Sequence, residues 1–461
     1  MSRLVPEIRE LIKLALPVSL AQLSLVGMTA TDVLIAGNAS TVDLAGMNLG
    51  SNTWNMIILF FMGIGFATQP LVAKHFGANN EAGIEHQLHQ SIWLCLALGV
   101  AAMQVTWLGA WFLLQLNFDA EMVGIAHHYL LAISFCAIPS ALIPALRGTL
   151  EGMSLTRVVF WINFVAFLVN IPLDYVLVNG LYGFPRLGGV GCAWATVFLI
   201  WSMFLASGLV LMLHKRLRHL KLLANFQAPQ FNTIAATWRL GFPIGVSIVI
   251  ELSMFSGAGM LIAYFGPVAA SAHAVAITVA SLSFMLYTGL AQGVTIRASQ
   301  FLGAERPNRA WYTVKAGTGF NVAISVLICV LFLIFNQSLI ELFSSDPEVI
   351  ALAMVLLYFA AAFQIADSLQ VAVIGALRAY HDTSSPPKYQ FIAFWVFGLP
   401  IGIGLAFYQW WPALAGPQGL WFGMVASLFM VGALLFKRLH NKARDDIGMI
   451  AVQAVHDQGT G

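Results

Sequence analysis

Hydrophobic runs of about 20 residues recur along nearly the whole of this 461-residue chain, each long enough to cross the ~30 Å hydrocarbon core of a bilayer as a helix. In lipid the backbone must satisfy its own polar groups, which restricts such a chain to a bundle of spanning helices. The pattern predicts twelve, near residues 12–36, 47–71, 88–116, 124–146, 158–179, 189–213, 238–263, 272–296, 315–343, 349–376, 390–410 and 418–436. Hydrophobic residues make up 59% of the chain and charged ones 9%, a balance that excludes an ordinary soluble domain. The net charge of +2 is dispersed over loops and offers no nucleic-acid surface. Cys95, Cys136, Cys192 and Cys329 lie in apolar segments at unrelated spacings. They read as packing residues, neither a disulfide framework nor a metal site. Met1–Arg9 is polar and Ile12 already opens a span, so no cleavable signal is expected.

Of the 22 Lys and Arg, all but Arg186 fall at or before the start of the first span or after an even-numbered one. Positive charge marks the cytoplasmic side. The expectation is an even number of spans in the cell's inner (plasma) membrane, with both termini cytoplasmic.

The chain also repeats itself. Pro17 and Pro243, Gly63 and Gly289, and Gly77 and Gly303 are each 226 residues apart. IKLALPVS matches WRLGFPIG, and VAKHFGANN matches RASQFLGAERPN. Pro172 and Pro400, like Gly191 and Gly419, differ by 228. Each half carries six spans, so the halves run in the same sense, related about an axis along the membrane normal. The expected organisation is an N-terminal lobe at 1–213, a cytoplasmic linker at 214–232, a C-terminal lobe at 233–440 and a disordered tail at 441–461.

Four carboxylates lie well inside the predicted spans: Asp32, Asp174, Glu251 and Asp367. A charged group at that depth costs about 2.5–3.5 kcal/mol on insertion scales, so it faces the protein interior and does a job. No Lys or Arg lies deep enough in a span to form an ordinary ion pair with them. Each is therefore suited to take up a proton, or to ligate a hard cation with neighbouring oxygens. Asp32 lies ~30 Å along the first span and Asp174 ~24 Å along the fifth at 1.5 Å per residue, both in the outer half of the bilayer. Asn170 shares a helix face with Asp174, and Thr196 sits at a comparable depth. These four form one candidate oxygen cluster for a proton or Na⁺, with Na⁺ held by Asp32, Asn170 and Asp174. The plainer alternative is that Asn170 and Asp174 brace Pro172, whose missing N–H frees a carbonyl. Pro17, on the same span as Asp32, is a candidate hinge. In the second half, Gln364 and Gln370 flank Asp367 on one face, and Glu251 follows Pro243. Asp32 aligns with Ala258 and Glu251 with Leu25, so each lobe carries its own polar specialisation. His273 reads as a hydrogen-bonded core residue, and the His127–His128 pair, near the outer surface, carries no part of the reading. No phosphate-binding loop is present in the sequence, so the energy source is expected to be an ion gradient.

LALP, TATDVLIAG, NIPLD, LGGVG and GALRAYHDT, with the duplicated glycines, resemble the multidrug and toxic compound extrusion (MATE) family over residues 5–440. The trio Asp32, Glu251 and Asp367 looks like that of the bacterial NorM-type branch. The resemblance implies an all-α polytopic fold of twelve transmembrane helices, in two pseudo-symmetric six-helix bundles with a central outward-opening cleft. It implies a secondary active multidrug antiporter that exports cationic and aromatic organic compounds in exchange for H⁺ or Na⁺. No other cofactor, no nucleic acid and no enzymatic activity are implied, and a monomer in the lipid bilayer is expected. It assigns ion coupling to Asp32, Asn170, Asp174 and Thr196, and an acidic pair to Glu251 and Asp367. Phe363 and Gln364 become candidates for lining the substrate cavity. Two positions depart from the NorM pattern: Asp174 stands where an Asn is frequent, as in the DinF-type branch, and Phe363 replaces a frequent Tyr. The rival readings are a lipid-linked precursor flippase of the same superfamily and an intramembrane enzyme. The first lacks deep cations for a pyrophosphate; the second lacks a clustered catalytic constellation.

Overall fold

The computed structural model describes residues 4–115, 119–220, 222–223 and 226–459, of which residues 39 and 449–459 are described by backbone alone. Arg3 and Lys221, which entered the charge reading, lie outside the described residues, as do residues 460–461 of the expected tail.

Every regular element among the described residues is helical. The first half holds α1 (Leu4–Ala39), α2 (Thr41–Gly65), α3 (Thr68–Gly77), α4 (Glu81–Leu113), α5 (Ala120–Ser134), α6 (Ala137–Gly152), α7 (Thr156–Asn179) and α8 (Gly189–Leu213). The second holds α9 (Phe231–Ala263), α10 (Pro267–Gly303), α11 (Pro307–Ile334), α12 (Asn336–Glu341), α13 (Pro347–Ala379), α14 (Ser385–Phe391), a π-helical turn (Ile392–Gly398), α15 (Leu399–Ala406) and α16 (Pro417–Gly459). Side chains close the free ends. Ser40 Oγ accepts from the Val42 and Asp43 amides at the start of α2, Asn80 caps α4, and Asp346 caps α13 ahead of Pro347. Each satisfies an N–H that has no partner within its helix.

Among the described residues, eleven helices or helix pairs are long and apolar enough to cross a membrane; the bent pair α5–α6, at 48°, makes twelve if counted as one span. They follow the predicted order. The α5–α6 break has a local cause. Pro139 has no N–H to give to the carbonyl of Phe135, and that oxygen instead accepts from Trp201 Nε1 at 3.1 Å. Pro400 leaves Val396 short of a donor in the same way, and there the helix widens into the π turn. Its repeat mate Pro172 sits inside an unbroken α7.

The chain divides into two compact units, Leu20–Ile248 and Met1–Ser19 with Val249–Gly461. The sequence reading placed the start of α1 with the first half and the start of α9 with the second; contacts exchange them. In one unit a β-carbon on Gly63 would come 2.7 Å from Gly245 Cα, so α2 and α9 meet backbone to backbone. In the other, a β-carbon on Gly289 would come 2.7 Å from Ser19 Cα, joining α10 to α1. These are the same two repeat positions used twice. Side chains repeat the exchange: Glu7 on α1 accepts from Arg297 Nη2 at 2.9 Å and from Thr313 on α11 at 2.7 Å. On α4, the repeat mate of α11, His86 meets Thr233 of α9 at 3.1 Å and Gln87 donates to Thr237 at 3.0 Å. The segment that joins the halves is tied to α4 as well, through His89 to the Leu222 carbonyl at 2.6 Å and Trp93 to the Gln227 carbonyl at 3.0 Å.

The expected disordered tail is corrected for its described part. α16 runs to Gly459; Leu439 and Ala443, buried one turn apart, and the Lys442–Asp446 pair at 3.2 Å hold its stretch through residue 446.

Candidate functional site

Asp32 on α1, Asn170 and Asp174 on α7 and Cys192 on α8 converge inside the Leu20–Ile248 unit. Asn170 Nδ2 donates to Asp32 Oδ1 at 3.1 Å and to Asp174 Oδ2 at 2.7 Å. An amide nitrogen carries two hydrogens, and here each is spent on a carboxylate. Asn170 and Asp174 are fully buried; Asp32 is half-buried. Asn170 Oδ1 and Asp174 Oδ1 are buried with no hydrogen-bond partner. Among the described residues neither aspartate has a Lys or Arg ion-pair partner. Two carboxylates so placed repel one another, and one proton held between them or one bound cation removes the repulsion.

The sequence explains why α8 arrives here. Gly191, in LGGVG, lies so close to the end of α7 that a β-carbon would sit 2.9 Å from the Leu177 carbonyl carbon. That approach places the next residue, Cys192, beside Asp32, whose carbonyl accepts from Sγ at 3.8 Å. Cys192 Sγ and one oxygen from each aspartate lie within 4.8 Å of one another. Sequence reasoning read Cys192 as packing; its place one helical turn before Thr196 was the available signal. Tyr129, buried on α5, also interacts electrostatically with Asp32 and Asp174. Thr196 is part-buried on α8 and, among the described residues, makes no hydrogen bond to the other three. Pro17 lies inside a continuous α1, two residues before the boundary between the compact units.

The second-half acids sit in the other unit. Glu251 on α9 accepts from Gln370 Nε2 and from Gln390 Nε2, both at 3.2 Å. Asp367 is buried with Oδ1 unpartnered and interacts electrostatically with Glu251 and Tyr287. Two features were missed. Gln390, just ahead of the π turn, reaches Glu251. Arg378, at the last turn of α13, attracts Glu251 through space without a direct ion pair, where no cation was expected to matter.

Phe363 and Gln364 are packed inside this unit. Phe363 is 4% exposed and packs between Phe255, with ring centroids 5.7 Å apart, and Trp421 at 6.2 Å. Gln364 is fully buried and donates to the Ala280 carbonyl at 3.4 Å. Their spacing on α13 turns them into the core beside Asp367, which an apolar face predicts as well as a cavity does. His127 and His128 bond backbone carbonyls. The His273 ring packs edge-on to Trp421, but its Nδ1 has no hydrogen-bond partner, so the expected structural hydrogen bond is missing at that nitrogen.

Residues 17–176 and 243–403 match the family model described as MatE. The chain belongs to that family. The two matched stretches begin at the repeat mates Pro17 and Pro243, so the model recognises each half separately. Over 449 residues the chain is 34% identical to the multidrug resistance protein NorM of Vibrio vulnificus (strain YJ016), covering 97% of this chain and 98% of that one. It is 34% identical over 445 residues to the multidrug resistance protein PmpM of Pseudomonas aeruginosa, covering 96% and 93%. The fold is that of the eukaryotic MATE transporter AtDTX14, with a TM-score of 0.85 at 18% identity and 97% and 99% of the chains covered. A MATE in the bent conformation gives 0.86 at 16% identity, covering 96% and 97%. This MatE-family chain is a multi-pass membrane protein.

Proposed function

We propose that this chain is a secondary active multidrug efflux antiporter of the inner membrane, exporting cationic and aromatic organic compounds in exchange for H⁺ or Na⁺. The observation that carries the reading is the Asp32–Asn170–Asp174 cluster: two acids on different helices, joined by one amide and lacking a cationic partner among the described residues. The names of the NorM and PmpM relatives support the substrate class. Dispersed positive charge supports cytoplasmic termini.

In the proposed cycle the outward-facing protein holds drug only while Asp32 is ionised. A proton or Na⁺ arriving from outside neutralises the cluster, α1 bends near Pro17, and the drug leaves. The ion-loaded protein then returns to the cytoplasmic-open form. Drug and ion act on one another because each favours a different state, which is what coupling requires. The acidic pair Glu251 and Asp367 is assigned a supporting role in the same cycle, since Glu251 already has two amide donors.

The test uses proteoliposomes loaded with ethidium under either a Na⁺ gradient or a pH gradient, imposed separately. Efflux under one gradient identifies the coupling ion. Efflux under neither overturns the antiport reading.

A further inference from the structure

We propose that Asp32, Asp174 and Cys192 form a site for a thiophilic divalent cation of the Zn²⁺ or Cd²⁺ class, which displaces the coupling ion and arrests transport. The arrest rests on the antiport reading above; the binding rests on the geometry alone. Cys192 Sγ and one oxygen of each carboxylate lie within 4.8 Å of one another. Around Zn²⁺, with sulfur at ~2.3 Å and oxygen at ~2.0–2.2 Å, tetrahedral ligand atoms stand roughly 3.3–3.8 Å apart. Closing the trio onto an ion therefore takes movements of about 1 Å. A separate observation points the same way: Asn170, fully buried and bonded through Nδ2 to both aspartates, holds its Oδ1 without a partner. Asp174 Oδ1, in the trio itself, is likewise buried without a hydrogen-bond partner. Half-buried Asp32 provides the side from which an ion enters.

Hard Na⁺ is served by the oxygens and gains nothing from a thiol, whereas borderline and soft cations prefer sulfur. Cys192 thus adds a selectivity that the oxygens alone do not have. On coordination the thiol gives its proton to solvent and binds as thiolate. With the thiolate counted, one divalent ion leaves the site at a net charge of −1, the same charge the two carboxylates carry with one proton or one Na⁺, so the metal-bound site stands in its ion-loaded form. Among the described residues this is the single group of three acidic or thiol ligands so placed. Cys95 is packed near Gly65, Cys136 bonds the Ile133 carbonyl, and Cys329 lies on α11 in the other unit.

The test titrates Co²⁺ into purified full-length protein without oxygen and follows the sulfur-to-cobalt charge-transfer absorption, with Cd²⁺ as competitor. The expected result is one Co²⁺ per chain with that band, lost in Cys192→Ser, kept in Cys329→Ser, and needing at least ~10-fold more Co²⁺ in Asp174→Asn. In ethidium-loaded vesicles, each variant scored against its own metal-free rate, Cys192→Ser is expected to need ~10-fold more Cd²⁺ for half-inhibition than the parent. No band, or a band unchanged by Cys192→Ser, overturns the site. A band that depends on Cys192 while Cd²⁺ leaves gradient-driven efflux untouched overturns the arrest. Should the antiport reading itself fail, no gradient drives efflux, and the cobalt spectrum still decides whether the site exists.

Discussion

Asn170 and Asp174 stand one turn apart on α7 with 2.7 Å between amide nitrogen and carboxylate oxygen, and the same amide reaches Asp32 on α1 at 3.1 Å. The amide is therefore a bridge between two helices as well as a bond within one. Its removal leaves buried Asp174 and half-buried Asp32 facing each other without that donor.

Asn170→Ala is accordingly expected to slow gradient-driven ethidium efflux by about tenfold or more, since an orphaned buried acceptor costs about 1–3 kcal/mol. Thr196→Ala, at a hydroxyl with no bond to the trio, is expected to change the rate by less than about threefold, because a typical hydrogen bond is worth about 1 kcal/mol. Initial rates at matched protein levels in vesicles check both. Equal losses in the two variants would place Thr196 among the ion's ligands after all.

Phe363 is held between Phe255 and Trp421, so its truncation is a packing lesion. Phe363→Ala is expected to destabilise its unit by about 3–5 kcal/mol and to leave the KM for drug near that of the parent. Thermal unfolding of the purified protein and a substrate titration separate the two effects. An unchanged Tm with a raised KM would restore Phe363 to a substrate cavity.

Gly63 and Gly289 occupy equivalent repeat positions, each in backbone contact with a helix from the other half of the sequence. Gly63→Ala and Gly289→Ala each push a methyl group against backbone that has no rotamer to yield. Each is expected to cost about 1–3 kcal/mol, read as a lower Tm of the purified protein. Tolerance of both substitutions would mean that the exchanged pairing of α1 and α9 is not held at these glycines.

Much of this was legible before any coordinates. Length and apolarity predict the spans, and the 226-residue offset predicts two equivalent halves, because both signals are carried by the residue pattern itself. The exchange of α1 and α9 was not legible: it depends on which backbones touch through Gly63 and Gly289, and spacing alone does not say which helix a glycine faces. Asp32, Asn170 and Asp174 were found together because an acid deep in a span is expensive wherever it lies. Cys192 was missed because a thiol in an apolar run is cheap and reads as core; only the close approach at Gly191 brings it to the acids. Phe363 and Gln364 share α13 with Asp367, and that helix turns them into a packed interior, which spacing alone does not distinguish from a cavity wall. The π turn before Pro400 escaped notice because its repeat mate Pro172 sits in a regular helix.

The central claim is that the coupling ion occupies the Asp32–Asn170–Asp174 cluster and is expelled when drug binds. Purified protein in weakly buffered detergent, in the presence and absence of Na⁺, allows a direct measurement: proton release by a pH dye and ²²Na⁺ release by filtration upon addition of ethidium. The account predicts release of one or other ion from the parent protein and none from Asp32→Asn. Full ion release from Asp32→Asn would contradict it.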